Sequence, residues 1–273
     1  MRPDLHAIAA DLVTVDGVLG VTLGGSRARG DALPESDADL GVYYRGPLDL
    51  VGLQQRADAW SSAPASIAGP GEWGPWVDGG AWLTVDGVAV DWILRDVDRV
   101  AAQCDRALRG EFAFHAQAGH PLGFLDIAYA GELASSVLLA DPSRQLAALR
   151  ARLTSYPAAL RTVLIEATWE ADFLVGAARK GVPRGDRTYV LTCLTRAILL
   201  CAHGIQAAAG QWVTNEKGLV AAAATAAEAP PEFARRADLM LADPDLGTAI
   251  GQAEALVHET RTRISTASSP RGV

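Results

Sequence analysis

The chain has 273 residues, 49% of them hydrophobic and 21% charged, enough length and apolar content for one large globular domain or two smaller ones. A net charge of −8 argues against a broad nucleic-acid surface and suits a small cationic ligand better. The opening MRPDLHAIAADL has no apolar h-region of signal-peptide type, and no uncharged apolar run reaches the roughly 18 residues that would span a bilayer.

Taken in order, Leu5, Ile8, Ala9, Leu12 and Val13 recur with helical period, so residues 3–17 are expected to hold a first helix. Val18–Leu23 reads as a strand that ends at Gly24-Gly25. Ser26-Arg27-Ala28-Arg29 then starts a short helix stopped by Gly30, and a loop over 31–36 with Pro34 leads into a second strand, Ala38–Tyr44. Leu50, Leu53, Ala57 and Trp60 mark a helix over 48–60. The Gly/Pro/Trp-rich segment from Gly69 to Gly80 is loop or hairpin. Ala81–Val85 and Val88–Leu94 are two strands joined at Asp86-Gly87, a type I′ hairpin signal. Residues 96–108 have helical period, 111–117 alternate as a strand with Phe112 and Phe114 on one face, and 121–139 are ambiguous. From Ser143 to Ile264 the pattern is helical, with interruptions at Tyr156-Pro157, Gly181–Gly185, Gly204, Gly210, Pro230-Pro231 and Pro244. The expected organisation is therefore a first domain over 1–142, a helical bundle over 143–265 and a disordered tail over 266–273.

Three features carry chemistry. Gly24-Gly25-Ser26 lets the backbone approach an anion and adds a hydroxyl donor. Asp37-Ala38-Asp39 follows eleven residues after Ser26, and carboxylates at i and i+2 of an extended segment share a face, a spacing that suits a divalent cation. Asp91 sits in an otherwise apolar strand, where an acid needs a partner or a job.

In this order, strand, Gly-Gly-Ser, helix, loop, D-x-D strand and a later strand acid, residues 18–95 resemble the nucleotidyltransferase superfamily typified by DNA polymerase beta. A single such module followed by a helical domain is most similar to the aminoglycoside (antibiotic) adenylyltransferases. The resemblance implies an α/β nucleotidyltransferase domain with a mixed sheet, in which Gly25 and Ser26 hold the triphosphate of ATP or another NTP. It implies that Asp37 and Asp39 chelate Mg²⁺, and that Asp91 completes a second metal site or takes the proton of the acceptor hydroxyl. Asp91 is shorter than the glutamate that some of these enzymes carry here, so base, ligand or both stay open. The related adenylyltransferases also carry a lysine at the start of a comparable helix; Thr214 as N-cap would place Lys217 in such a first turn, as a nucleotide contact.

In the helical half, Arg196 lies in an almost wholly apolar helix and is expected to be buried against Glu166 or Glu170 as a fold-fixing ion pair. Glu166, Glu170, Asp172 and Trp169 are expected on one helix, where they form either a solvated acidic face or an acceptor site. Trp73 and Trp76 either shape a substrate site or pack their loop down. The cysteines (Cys104, Cys193, Cys201) are three in number with no C-x-x-C pair, and read as reduced core thiols of a cytoplasmic protein. The function implied is Mg²⁺-dependent transfer of a nucleoside monophosphate, AMP from ATP, to a small-molecule hydroxyl. One alternative is a toxin-type or regulatory enzyme acting on tRNA or protein; the acidic net charge argues against tRNA. Another is a non-catalytic nucleotide-binding module. Oligomeric state is open.

Overall fold

The structure is a computed structural model and describes residues 3–30 and 36–268. The loop expected over 31–36, with Pro34, falls almost wholly outside them, as do residues 269–273 of the expected tail. The chain divides into two compact units, one of Met1–Arg106 with Ala113–Ser155, the other of Ala107–Phe112 with Tyr156–Val273.

The first unit is α/β. Helix α1 (Leu5–Leu12) precedes strand β1 (Val18–Leu23), the short α2 (Gly25–Arg29) and β2 (Ala38–Tyr44). Then come α3 (Leu50–Trp60), β3 (Gly80–Val85), β4 (Val88–Asp96) and α4 (Val97–Arg109). The two-residue strands β5 (Phe114–His115) and β6 (Phe124–Leu125), α5 (Ala128–Ser135), β7 (Val137–Ala140) and α6 (Gln145–Ala151) complete it. Among the described residues the main sheet has five strands in the order β3-β4-β2-β1-β7. It is mixed: β2 and β4 are parallel, and the other neighbours are antiparallel.

Alternation along the strands sorts the two faces. Ala38, Leu40, Val42 and Tyr44 of β2 and Val90, Trp92 and Leu94 of β4 join one core with Ile8 and Leu12 of α1 and Leu53 and Ala57 of α3. Burial of each of the larger aliphatic side chains contributes roughly 1.5–3 kcal/mol. Asp4 and Asp49 cap the two helices, accepting from the N–H of Ala7 and of Gly52. The β3–β4 turn is the expected hairpin, with Asp86 and Gly87 both at positive φ. On the opposite face Arg95 is buried and makes a two-pronged ion pair with Glu132 on α5, at 2.7 and 2.9 Å.

Two expectations need correction in this unit. The strand read over 111–117 is reduced to Phe114–His115, because only that pair finds a partner, in Phe124–Leu125. The ambiguous stretch ends in β7, which joins the sheet edge beside β1; its short run VLLA carried too little alternation to announce a strand.

The second unit is helical. It contains α7 (Ala158–Glu166), α8 (Trp169–Ala178), a 3-10 turn (Arg179–Arg184), α9 (Arg187–Ala208), α10 (Leu219–Ala223), α11 (Phe233–Ala242) and α12 (Leu246–Ser268). Helix α9 is long and apolar enough to cross a bilayer by length and composition, yet 72% of its apolar window is buried inside the protein, as in a core helix. Gly204 does not interrupt it, contrary to expectation. A Cβ there would lie 2.5 Å from Cγ2 of Thr168 and 3.0 Å from Cδ1 of Ile264, so the glycine lets neighbouring helices approach, and tertiary packing outweighs its roughly 1 kcal/mol helix penalty. Glu166 does not share a helix with Trp169, Glu170 and Asp172. The chain breaks at Thr168, whose buried hydroxyl donates to the Ile165 carbonyl at 2.6 Å. Residues 266–268, read as tail, continue α12. The three cysteines are all buried free thiols, with burial pushing Cys104 up to about 11 and Cys201 up to about 12.

His203 is buried on α9, and burial lowers its pKa from 6.5 to about 4. Between those values the unfolded chain takes up a proton that the folded chain refuses, so stability falls as pH drops through the window. At about 1.4 kcal/mol per unit, the full interval is worth roughly 3 kcal/mol. Urea midpoints from pH 7 to pH 4 are expected to fall more steeply for the wild type than for His203→Gln; equal slopes would show that this imidazole does not set the acid limit.

Candidate active site

The site is built on the sheet face turned away from α1 and α3. In the parallel β2–β4 ladder Ala38 pairs with Val90, Asp39 with Asp91 and Leu40 with Trp92. Register partners point to the same side, and the flanking pairs are all at most 1% exposed, so the two half-buried acids stand side by side on the opposite face. Adjacent strands are about 4.8 Å apart, which brings two carboxylates within reach of one cation.

The glycine turn is fitted against the first acid. The Gly24 N–H donates to the Asp39 carbonyl at 2.8 Å, carrying the ladder one step past β1. Gly25 follows at φ +61°, and a Cβ there would lie 1.8 Å from Oδ2 and 2.9 Å from Cγ of Asp39. Backbone therefore lies directly on the carboxylate. Ser26 comes next, in the first turn of α2, whose N-cap Gly24 offers no side chain to the first-turn N–H groups.

Arg27 turns away from this cradle. Its guanidinium donates to the carbonyls of Ser36 and Asp37, Nε at 3.1 and 3.0 Å, and so ties α2 to the entry of β2. Asp37 is exposed at that entry. Among the described residues no group of three or more His, Cys, Asp or Glu side chains is gathered to hold a metal ion. The structure thus brings Asp39 and Asp91 together and leaves Asp37 at the mouth of the strand. A carboxylate pair still fits magnesium, which commonly takes one or two protein carboxylates and fills its remaining positions with phosphate oxygens and water.

Lys217 is not in the first turn of a helix, contrary to expectation, and Thr214 is not an N-cap. Helix α10 starts at Leu219 because Gly218 takes φ +77°, and the Asn215 side chain accepts from the Lys217 N–H at 2.9 Å instead. The lysine side chain is exposed. Arg196 does pair with Glu170, Nε to Oε1 at 2.8 Å, but both side chains are about one-third exposed, so the bridge is not the buried one expected. Asp172 pairs with Arg261. Trp169 and Phe173 are exposed on α8 and meet edge to face.

Of the loop tryptophans, Trp76 packs down. Its ring stacks on His115 at 3.9 Å, and its carbonyl accepts from the Tyr129 hydroxyl. Trp73 instead stacks at 4.3 Å on Trp82, which is 64% exposed and is the register partner of Asp91. Trp82 escaped the sequence reading, although a signal exists: in AWLTV the alternation of Ala81, Leu83 and Val85 inward puts Trp82 out, on the side of the acids.

Residues 7–62 match the sequence model of a family described as nucleotidyltransferase domain. That segment contains Gly25, Ser26, Asp37 and Asp39 but ends before Asp91. No curated protein sequence matches the chain. A similar solved structure is the crystal structure of a nucleotidyltransferase-like protein from Exiguobacterium sibiricum 255-15, at 11% identity and a TM-score of 0.44, over 95% of this chain and 73% of that one.

Proposed function

We propose that the chain is a Mg²⁺-dependent nucleotidyltransferase that moves a nucleoside monophosphate, AMP from ATP, to a hydroxyl of a small molecule such as an aminoglycoside-type antibiotic, releasing pyrophosphate. The observation that carries this is the Asp39–Asp91 register with Gly25 seated against the Asp39 carboxylate. An acid pair beside a glycine turn suits a cation held next to a phosphate, and the family match on residues 7–62 supports the same chemistry.

In this mechanism the backbone of Gly25 and the Ser26 hydroxyl receive the triphosphate. Asp39 and Asp91, with Asp37 at the rim, would hold Mg²⁺, which when bound supplies charge neutralisation and in-line orientation of the triphosphate. Asp91, on the far side of Asp39 from the glycines, accepts the proton as the acceptor oxygen attacks the α-phosphorus. The bond from that phosphorus to the bridging oxygen breaks, and the electron pair leaves on pyrophosphate. The test is pyrophosphate release from each Mg-NTP with a panel of aminoglycosides and lincosamides. Release that requires both nucleotide and acceptor is expected. A thermal shift by nucleotide without release from any pair would instead identify a non-catalytic binding module.

A further inference from the structure

Four chain segments cross the site in a fixed order. Gly24-Gly25 lie at the end of β1, Asp39 on β2, Asp91 on β4 and Trp82 on the edge strand β3. With about 4.8 Å between neighbours, Trp82 stands one strand beyond Asp91 and roughly 14 Å from the glycines. If phosphate sits at the glycine end and the α-phosphorus at the acid pair, whatever lies over Trp82 is on the acceptor side.

The tryptophan is also held in place. Trp73 stacks on it with planes 17° apart, and Trp73 itself is fixed by its N–H to the Asp78 carbonyl at 2.9 Å and by Gln117 Nε2 donating to its own carbonyl at 2.8 Å. An indole that keeps 64% of its surface exposed while its ring is stacked is a preformed platform, not a core residue. Its partner across the ladder is a carboxylate, Asp91, which stands on the same face. An indole face beside a carboxylate favours a cation.

We infer that Trp82, backed by Trp73, is the acceptor-binding platform, and that it takes a hydroxylated ring bearing a protonated amine with the hydroxyl directed to Asp91. The assignment rests on the nucleotidyl-transfer reading for the direction of the row, and its test separates the two. The full chain, saturated with Mg²⁺ and α,β-methylene-ATP, is titrated with 2-deoxystreptamine, a diamino cyclitol, and with myo-inositol, a neutral ring of similar size, by ligand-observed NMR. The wild type is expected to bind the diamine more tightly than inositol. Trp82→Ala is expected to weaken the diamine by roughly fivefold or more while leaving the nucleotide Kd within about twofold, and Trp82→Phe to retain most of the affinity. If Trp82→Ala does not fold, Trp82→Thr, a good edge-strand residue, replaces it. Diamine affinity unchanged by the substitution, no diamine binding by the wild type, or a loss of nucleotide affinity instead would each overturn the platform. Failure of the parent reading looks different: the wild type would not bind the Mg-nucleotide at all, or Asp39→Asn would bind it equally well.

Discussion

Asp39→Asn is expected to lower nucleotidyl transfer by about 10³-fold or more, roughly 4 kcal/mol of transition-state stabilisation, without loss of the fold. The substitution keeps the shape of the side chain, so the sheet and the Gly24–Asp39 backbone bond survive. What it removes is charge. Asp39 and Asp91 are neighbours on one face, and like charges placed opposite each other destabilise a sheet. Removing one is therefore expected to leave the melting temperature unchanged or raise it slightly, while Mg²⁺ with nucleotide is expected to stabilise the wild type and not the variant. Calorimetric melts with and without Mg²⁺, beside pyrophosphate release, read both effects. A variant that keeps its activity, or a wild type whose stability ignores Mg²⁺ and nucleotide, would remove the acid pair from the chemistry.

Gly25→Ala is expected to cost about 100-fold in turnover with a stability loss of only about 1–2 kcal/mol. Two effects act at this position. A left-handed φ of +61° strains any alanine, and the new Cβ collides with the Asp39 carboxylate at 1.8 Å. The second effect is the larger one for activity, because the carboxylate must swing away from the place its register assigns. Gly30 separates the two: it has φ +80° and, among the described residues, nothing within 4 Å of where a Cβ would stand, so Gly30→Ala brings strain without collision. Steady-state rates and melts of both variants decide the matter. Equal losses of activity would mean that turn geometry, not the approach to Asp39, is what matters at Gly25.

Local chemistry made much of this legible. The alternation of β2 and β4, the Asp86-Gly87 turn and the helix at Leu50–Trp60 follow from periodicity and turn residues that act over a few positions. The misreadings arose where distant contacts overrule local preference. Gly204 reads as a helix breaker until Thr168 and Ile264 are seen pressing against it. Lys217 reads as a first-turn residue because nothing local says that Gly218 will turn left-handed while Asn215 takes the Lys217 N–H.

By itself the sequence determined the parts of the candidate site: a glycine turn that only small residues allow, two acids at i and i+2, and a third acid in an apolar strand. Which parts meet was decided by the fold. Asp39 and Asp91 are far apart in the chain, and only the parallel pairing of β2 with β4 sets them side by side, since a slip of one residue would turn one of them into the core. The same pairing, extended to β3, put Trp82 next to Asp91, and tertiary contact ties Arg27 to the carbonyls of Ser36 and Asp37. Residue types and spacing set the available chemistry, but strand register is a long-range property, settled by the burial of whole faces.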